Sequence, residues 1–146
     1  MTGVHIAIGI AMVFVNLAAG LMGAWQWWRS TPGRRFWRVL RIGQAFTALA
    51  AIDGLLVLAA GHDLPELHLV YGLTPLAVSF LAEQLRLASA DTVLQARELP
   101  DAQAMRVLPE AEQHAIVHAI LRREMGVMAA SALVVFLLGL RAGGWL

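Results

Sequence analysis

From Gly3 to Trp28 the chain is apolar except for His5, Asn16 and Gln26. An α-helix needs about 20 predominantly apolar residues to cross the hydrocarbon layer of a bilayer, and this stretch exceeds that. It is too long for a cleaved leader and lacks a basic n-region or an A-x-A site, so it reads as a retained transmembrane helix. The whole sequence agrees with the stretch. Hydrophobic residues make up 59% of the 146 and charged residues 14%, where a soluble domain carries roughly a quarter charged.

Three further apolar stretches follow, giving expected spans of about 3–28, 42–60, 65–88 and 120–141, with an inner linker of about 89–119. Gln44, Thr47 and Asp53 interrupt the second. The linker is too polar to span and is broken by Pro100 and Pro109. PEAEQHAIVHAILRRE, at its end, reads as a helix start that feeds the fourth span, with Pro109 at the first helical position and acids in the first turn. The sequence therefore predicts an all-α fold, a single integral membrane domain built as an antiparallel four-helix bundle. Short connections make consecutive helices neighbours and let the first and third lie diagonally across the core.

The arginines orient the bundle. Arg29, Arg34, Arg35, Arg38 and Arg41 follow the first span; Arg86, Arg97, Arg106, Arg122 and Arg123 lie between the third and fourth. GHDLPE, between spans two and three, has no Lys or Arg, and only Arg141 lies beyond the fourth span. The positive-inside rule then places both termini outside, in a multi-pass protein of the cell membrane. Trp25, Trp27, Trp28, Phe36 and Trp37 read as an aromatic belt at the inner interface, and Trp145 marks the outer one.

A net charge of +1 and the absence of Cys exclude several classes. No basic field is available for nucleic acid. Disulfides, thiolate catalysis and iron–sulfur clusters are excluded as well.

Chemistry must then come from a few polar side chains inside the spans. His5 lies about one turn from the outer end of span one, and His68, in PELHLVYGLTPL, about one turn from the outer end of span three. On diagonal helices their imidazoles can face each other, the arrangement that holds a haem iron from both sides. Gly9 follows His5 by four residues and Gly72 follows His68 by four, so each histidine has a residue without a side chain on its own face one turn deeper. That leaves room for a flat macrocycle. Gly54 and the Ala48–Ala51 cluster can widen it, and Arg141 can pair with haem propionates. The inner half holds no histidine, so one haem b is expected.

Asp53, about two turns below the outer surface, is costly in lipid unless paired, hydrated or protonated. It can orient a ligating imidazole, relay protons, or complete a two-histidine, one-carboxylate metal site. The plain reading of each of these groups is a hydrogen bond to a neighbouring helix. His114 and His118, spaced i, i+4 with Glu110 one turn earlier, can chelate a metal, but their polar surroundings make a solvated surface helix the simpler reading. His62 reads as a loop residue.

His5 in VHIAIGI, Gly54 in DGLLVLAAG and His68 in LPELHLVYG follow in an order that resembles one half of the haem A synthase family and, more loosely, membrane cytochromes of the b561 kind. That resemblance implies haem held between histidines of a four-helix bundle. It covers about half the chain. Those families place a glutamine near the middle glycine; here Asp53 adjoins Gly54 and Gln44 lies far away. The second domain and catalytic acid of haem A synthase have no counterpart, so haem binding is implied and haem A synthesis is not.

The expected function is electron transfer through one bis-histidine haem near the outer face, with a quinone or a redox protein as partner and oligomerisation left open. Its rivals are a cofactor-free accessory subunit of a membrane complex and a small proton- or metal-conducting protein. The orientation has a direct check. In intact cells His62→Cys is expected to react with an impermeant maleimide added outside, and Arg35→Cys is not. The reverse labelling would invert the bundle.

Overall fold

The computed structural model describes residues 3–62 and 65–146; Asp63 and Leu64 of the expected outer loop lie outside the described residues. Among the described residues there are four α-helices: α1 (Gly3–Trp28), α2 (Arg34–Ala59), α3 (Glu66–Gln95) and α4 (Glu110–Ala142). A single 3-10 turn, Ala104–Val107, lies between α3 and α4. It opens on Asp101, whose Oδ1 accepts the backbone N–H groups of Gln103 and Ala104 at 2.8 and 2.9 Å.

Three helices, α1, α2 and α4, are long and apolar enough to cross a membrane. The sequence reading expected four. His68, Thr74, Pro75, Ser79 and Glu83 dilute the apolar character of α3. Helix boundaries also differ from the expected spans. Helix α2 begins at Arg34, because arginine is a good helix former and the helix continues where the apolar run stops. For the same reason α3 runs on to Gln95, while α4 starts at Glu110, directly after Pro109, where the sequence reads a helix start. The inner linker thus contracts to residues 96–109. Pro109 caps α4 as the residue before its first turn.

Packing pairs α1 with α2 and with α4, α3 with α4, and α2 with α3 along a looser seam. Helices α1 and α3 lie on a diagonal. The contacts are antiparallel: along α1, Val13, Gly20 and Trp27 meet Gly139, Leu133 and Gly126 of α4 in descending order. The α1–α2 turn and the α3–α4 connection therefore share one end of the bundle. The α2–α3 turn and both ends of the described chain share the other. Ten of the eleven arginines, those named above other than Arg141, lie toward the first end.

The first end is tightly packed. Ala19, Phe36, Leu40, Ala82, Met125, Met128, Ala129 and Ala132 form its core. Phe36 is fully buried and packs edge-on against Trp37 with ring centroids 5.1 Å apart. It belongs to the core rather than to the aromatic belt expected from sequence, because α2 begins before it and turns it inward. Trp25 and Trp28 are exposed. Gly20, Gly23 and Gly139 stand where helices come closest: a Cβ on Gly20 would lie 2.5 Å from Leu133, one on Gly139 2.7 Å from Val13, and one on Gly23 would overlap Phe36 and Ala129. Asn16, also buried, donates from Nδ2 to the Met12 carbonyl at 2.9 Å, and to the Gly43 carbonyl and Thr47 Oγ1 at 3.3 Å each.

An ionic network joins α2, α3 and α4 at the same end. Glu83 accepts from Arg41 at 2.5 Å, Gln44 at 2.8 Å and Arg86 at 2.8 Å, and Arg86 lies 3.9 Å from Glu124. Outside the core, large apolar side chains such as Phe14, Leu21, Leu56, Phe80 and Leu85 face outward. Exposed apolar surface on this scale marks contact with lipid or protein.

The close seam at Gly23 makes a prediction. Gly23→Ala places a Cβ against Ala129 and Phe36 with no flexible neighbour to yield, and overpacking of this kind costs about 1–3 kcal/mol. A thermal midpoint lower than wild type in detergent is expected; an unchanged or raised midpoint would show that the seam is loose.

Candidate functional site

The interior of the bundle is open at the other end where at the first it is packed. A partly open cavity of about 330 Å³ lies between the helices there. Its wall is drawn from all four: His5, Gly9 and Met12 from α1, Ala50, Ala51 and Gly54 from α2, His68 and Gly72 from α3, and Gly139 and Ala142 from α4, with Trp145 beyond. It is predominantly apolar, with two imidazoles as its polar feature, and its size is at the lower end of the roughly 300–1,000 Å³ typical of ligand sites.

Helical periodicity builds this wall. His5, Gly9 and Met12 recur at intervals of four and three along α1, and His68 and Gly72 at four along α3, so each set shares a face. The two faces meet across the diagonal, and the His5 and His68 ring centroids are 5.8 Å apart with planes inclined by 53°. The expected facing of the two histidines is thus present in the structure.

Each ring is anchored through the same atom. His5 Nδ1 lies 2.7 Å from Asp53 Oδ2 on α2, and its side chain is 13% exposed. His68 Nδ1 lies 2.9 Å from the carbonyl oxygen of Ala142, at the end of α4. Carboxylate and carbonyl oxygens only accept, so in neutral rings Nδ1–H is the donor in both bonds. An Nδ1–H bond to a carboxylate or carbonyl oxygen is the outer-shell arrangement typical of metal-ligating imidazoles. The carboxylate of Asp53 is thereby drawn into orienting His5. Among the described residues no three His, Cys, Asp or Glu side chains form a metal-binding group.

The glycines divide into two kinds. A Cβ added at Gly9 or Gly72 would meet nothing within 4 Å, and one at Gly54 would meet only His5 Cε1, at 3.6 Å. These face open space, unlike Gly20 and Gly23. Two imidazole nitrogens about 2 Å from one shared metal ion place their ring centroids about 6 Å apart, close to the separation observed. The donor types, the anchored rings and the space beside them fit a haem held between His5 and His68.

Arg141 is placed otherwise than expected. Its side chain donates to the Leu146 carbonyl at 2.5 Å and lies over the Tyr71 ring at 5.7 Å, and it does not line the cavity. The last turn of α4 sends it outward while Ala142 and Gly139 face in. The Ala142 carbonyl and Gly139 were not singled out from sequence, and Trp145, read there as an outer-interface residue, lines the cavity as well. A backbone acceptor has no sequence signal, whereas the spacing Gly139 to Ala142 on α4 was available to be read. Toward the other end, His118 Nε2 lies 2.8 Å from the Ser30 carbonyl and His114 lies 3.8 Å from Glu110, so the two imidazoles have separate partners.

Fold and cavity together define a helical bundle with candidate membrane-spanning helices and an apolar two-histidine site. No family model matches the chain, and no curated protein or solved structure matches it.

The anchoring predicts tautomers. With the rings neutral, ¹⁵N NMR is expected to find both His5 and His68 protonated at Nδ1. Asp53→Leu should abolish that preference for His5 and leave His68 unchanged, since its acceptor is a backbone carbonyl. Protonation of either wild-type ring at Nε2 alone would contradict the assignment.

Proposed function

We propose that the chain is a multi-pass protein of the cell membrane, both termini outside, that binds one haem b between His5 and His68 and transfers electrons near the outer face. One observation carries this reading: two imidazoles from diagonal helices, each anchored at Nδ1, border a single apolar cavity at a separation suited to one shared metal ion. The grouping of arginines at the opposite end supports the orientation. The resemblance of His5, Gly54 and His68 to the haem A synthase and b561 patterns points the same way.

Haem b with two imidazole ligands supplies a one-electron couple without an open coordination position. The protein's part is placement and electrostatics. The Nδ1–H bonds hold both rings in the tautomer that ligates through Nε2 and make them more basic ligands. Gly9, Gly54 and Gly72 leave the space a macrocycle needs. Asp53 places a carboxyl group beside one ligand, where a negative charge would lower the potential of the site. The lining is predominantly apolar, and the partly open side gives a quinone or a redox protein its approach.

The Asp53–His5 pair also favours a second reading, proton handling at the outer end, in which the two histidines relay rather than ligate. The optical spectrum separates the two. Protein expressed with ample haem and purified is expected to show sharp reduced-minus-oxidised bands of a low-spin cytochrome b. His68→Ala should lose the haem or turn it high-spin. His5→Ala should do the same more mildly, since water can substitute at a terminal turn. Gly72→Leu should lose pigment with helix content unchanged, and Asp53→Asn should retain haem at a shifted potential. Colourless wild type, or wild-type spectra in both histidine variants, would end the cytochrome reading in favour of the proton-handling or accessory-subunit one.

A further inference from the structure

A second concave surface lies at the arginine-rich end, between α1 and α4, with a volume of about 790 Å³. It has two halves of different chemistry. Toward the helix middle its wall is small and apolar: Ala24 from α1, and Gly126, Ala129, Ala130 and Leu133 from α4. At its mouth stand Trp27, Ser30, His118, Arg122 and Arg123. From Arg122 to Leu133 a helix rises about 16 Å, the reach of a good part of an acyl chain.

The two arginines carry the argument. Arg86, on the neighbouring α3, is neutralised by Glu83 and approached by Glu124. Among the described residues, no carboxylate lies in ion-pair range of Arg122 or Arg123. Arg122 is held in place all the same: its guanidinium lies 4.9 Å over the Trp27 ring, and Nε donates to the Trp27 carbonyl at 3.4 Å. Its terminal N–H groups remain to meet an anion. Gly126 lets the Trp27 indole lie against α4, since a Cβ there would come within 2.8 Å of Nε1. The surface is therefore a positioned cationic mouth above an apolar trough, at the level of the exposed tryptophans.

The geometry points to a phospholipid site: an anionic headgroup phosphate held by Arg122 and Arg123, with one acyl chain along Ala130 and Leu133. Charge complementarity selects an anionic lipid over a zwitterionic one, and the apolar trough selects a lipid over free phosphate. Basic pockets between spanning helices on the cytoplasmic side recognise lipid headgroups in this manner. The site is remote from the histidine cavity and independent of haem. It rests only on the reading that the chain is embedded in a bilayer with its arginine-rich end inside.

Native mass spectrometry of the detergent-purified full chain, titrated with phosphatidylglycerol, phosphatidylcholine and inorganic phosphate, tests it. Phosphatidylglycerol is expected to be retained in preference to phosphatidylcholine, with inorganic phosphate unable to displace it. Each arginine at an anionic lipid surface is worth about a fivefold change in affinity, so R122Q/R123Q should weaken phosphatidylglycerol retention about thirtyfold. The control R34Q/R35Q removes the same charge at the same end and should change it less than about threefold. Ala130→Phe, which fills the trough without altering charge, should also weaken it. Circular dichroism confirms that each variant is folded.

Equal retention of the two lipids, displacement by phosphate, or an equal loss in R34Q/R35Q would overturn the site while leaving the membrane reading intact. Recovery of the wild-type chain from the aqueous fraction without detergent would remove both.

Discussion

Helix α1 lies against both α2 and α4 because it lacks side chains where those helices come nearest. In lipid, helices gain little from hiding apolar surface from one another, since the surrounding acyl chains are equally apolar; close packing and interhelical hydrogen bonds must hold them. Gly20 and Gly23 let Leu133, Phe36 and Ala129 approach α1 to distances that a methyl group would prevent. Gly139 does the same for Val13 from the α4 side. Asn16 adds a bond to the Gly43 carbonyl at mid-helix. This central helix sets the diagonal to α3, and with it the distance between His5 and His68.

Polar groups are segregated to the two ends, and each set is tied together. At one end Asp53, His5, His68 and the Ala142 carbonyl form two bonded pairs around a cavity. At the other, Arg41, Gln44, Glu83 and Arg86 share one carboxylate, with Glu124 behind. Between them lies the buried Asn16–Thr47 contact. A charged or strongly polar group in an apolar layer is tolerable only with partners, so these pairings reconcile the apolar exterior with the polar residues. They also account for α3, which is not among the helices apolar enough to cross a membrane and which contributes His68 to one set and Glu83 and Arg86 to the other.

Tight packing at one end and open space at the other give the bundle a division of labour. The Phe36–Met125–Met128 core holds the helices in register, while the histidine end can carry a cavity because the core does not depend on it. Gly9 and Gly72 face space and touch nothing that a methyl group would displace.

The sequence by itself determined the class of the fold. Apolar runs of membrane-spanning length, short turns and sided arginines dictate an all-α bundle, because a backbone in lipid must bond within its own helices. The i, i+4 pairs His5–Gly9 and His68–Gly72 were equally legible, since helical period alone places them on common faces. The start of α4 was legible in Pro109 and the acids after it, whereas the start of α2 at Arg34 was not, because hydropathy marks where a span stops and not where a helix does. The close-packing role of Gly20, Gly23 and Gly139 was not legible: Gly9 and Gly23 look alike in sequence and differ in what stands opposite. The same holds for Phe36, read as an interface aromatic yet wholly buried, and for Arg141, read as a cavity residue yet turned outward. Only the tertiary structure chose the partner of Asp53 and supplied the Ala142 carbonyl to His68. Those choices depend on which residues of separate helices arrive within about 3 Å of one another, a distance that no spacing along one chain can encode.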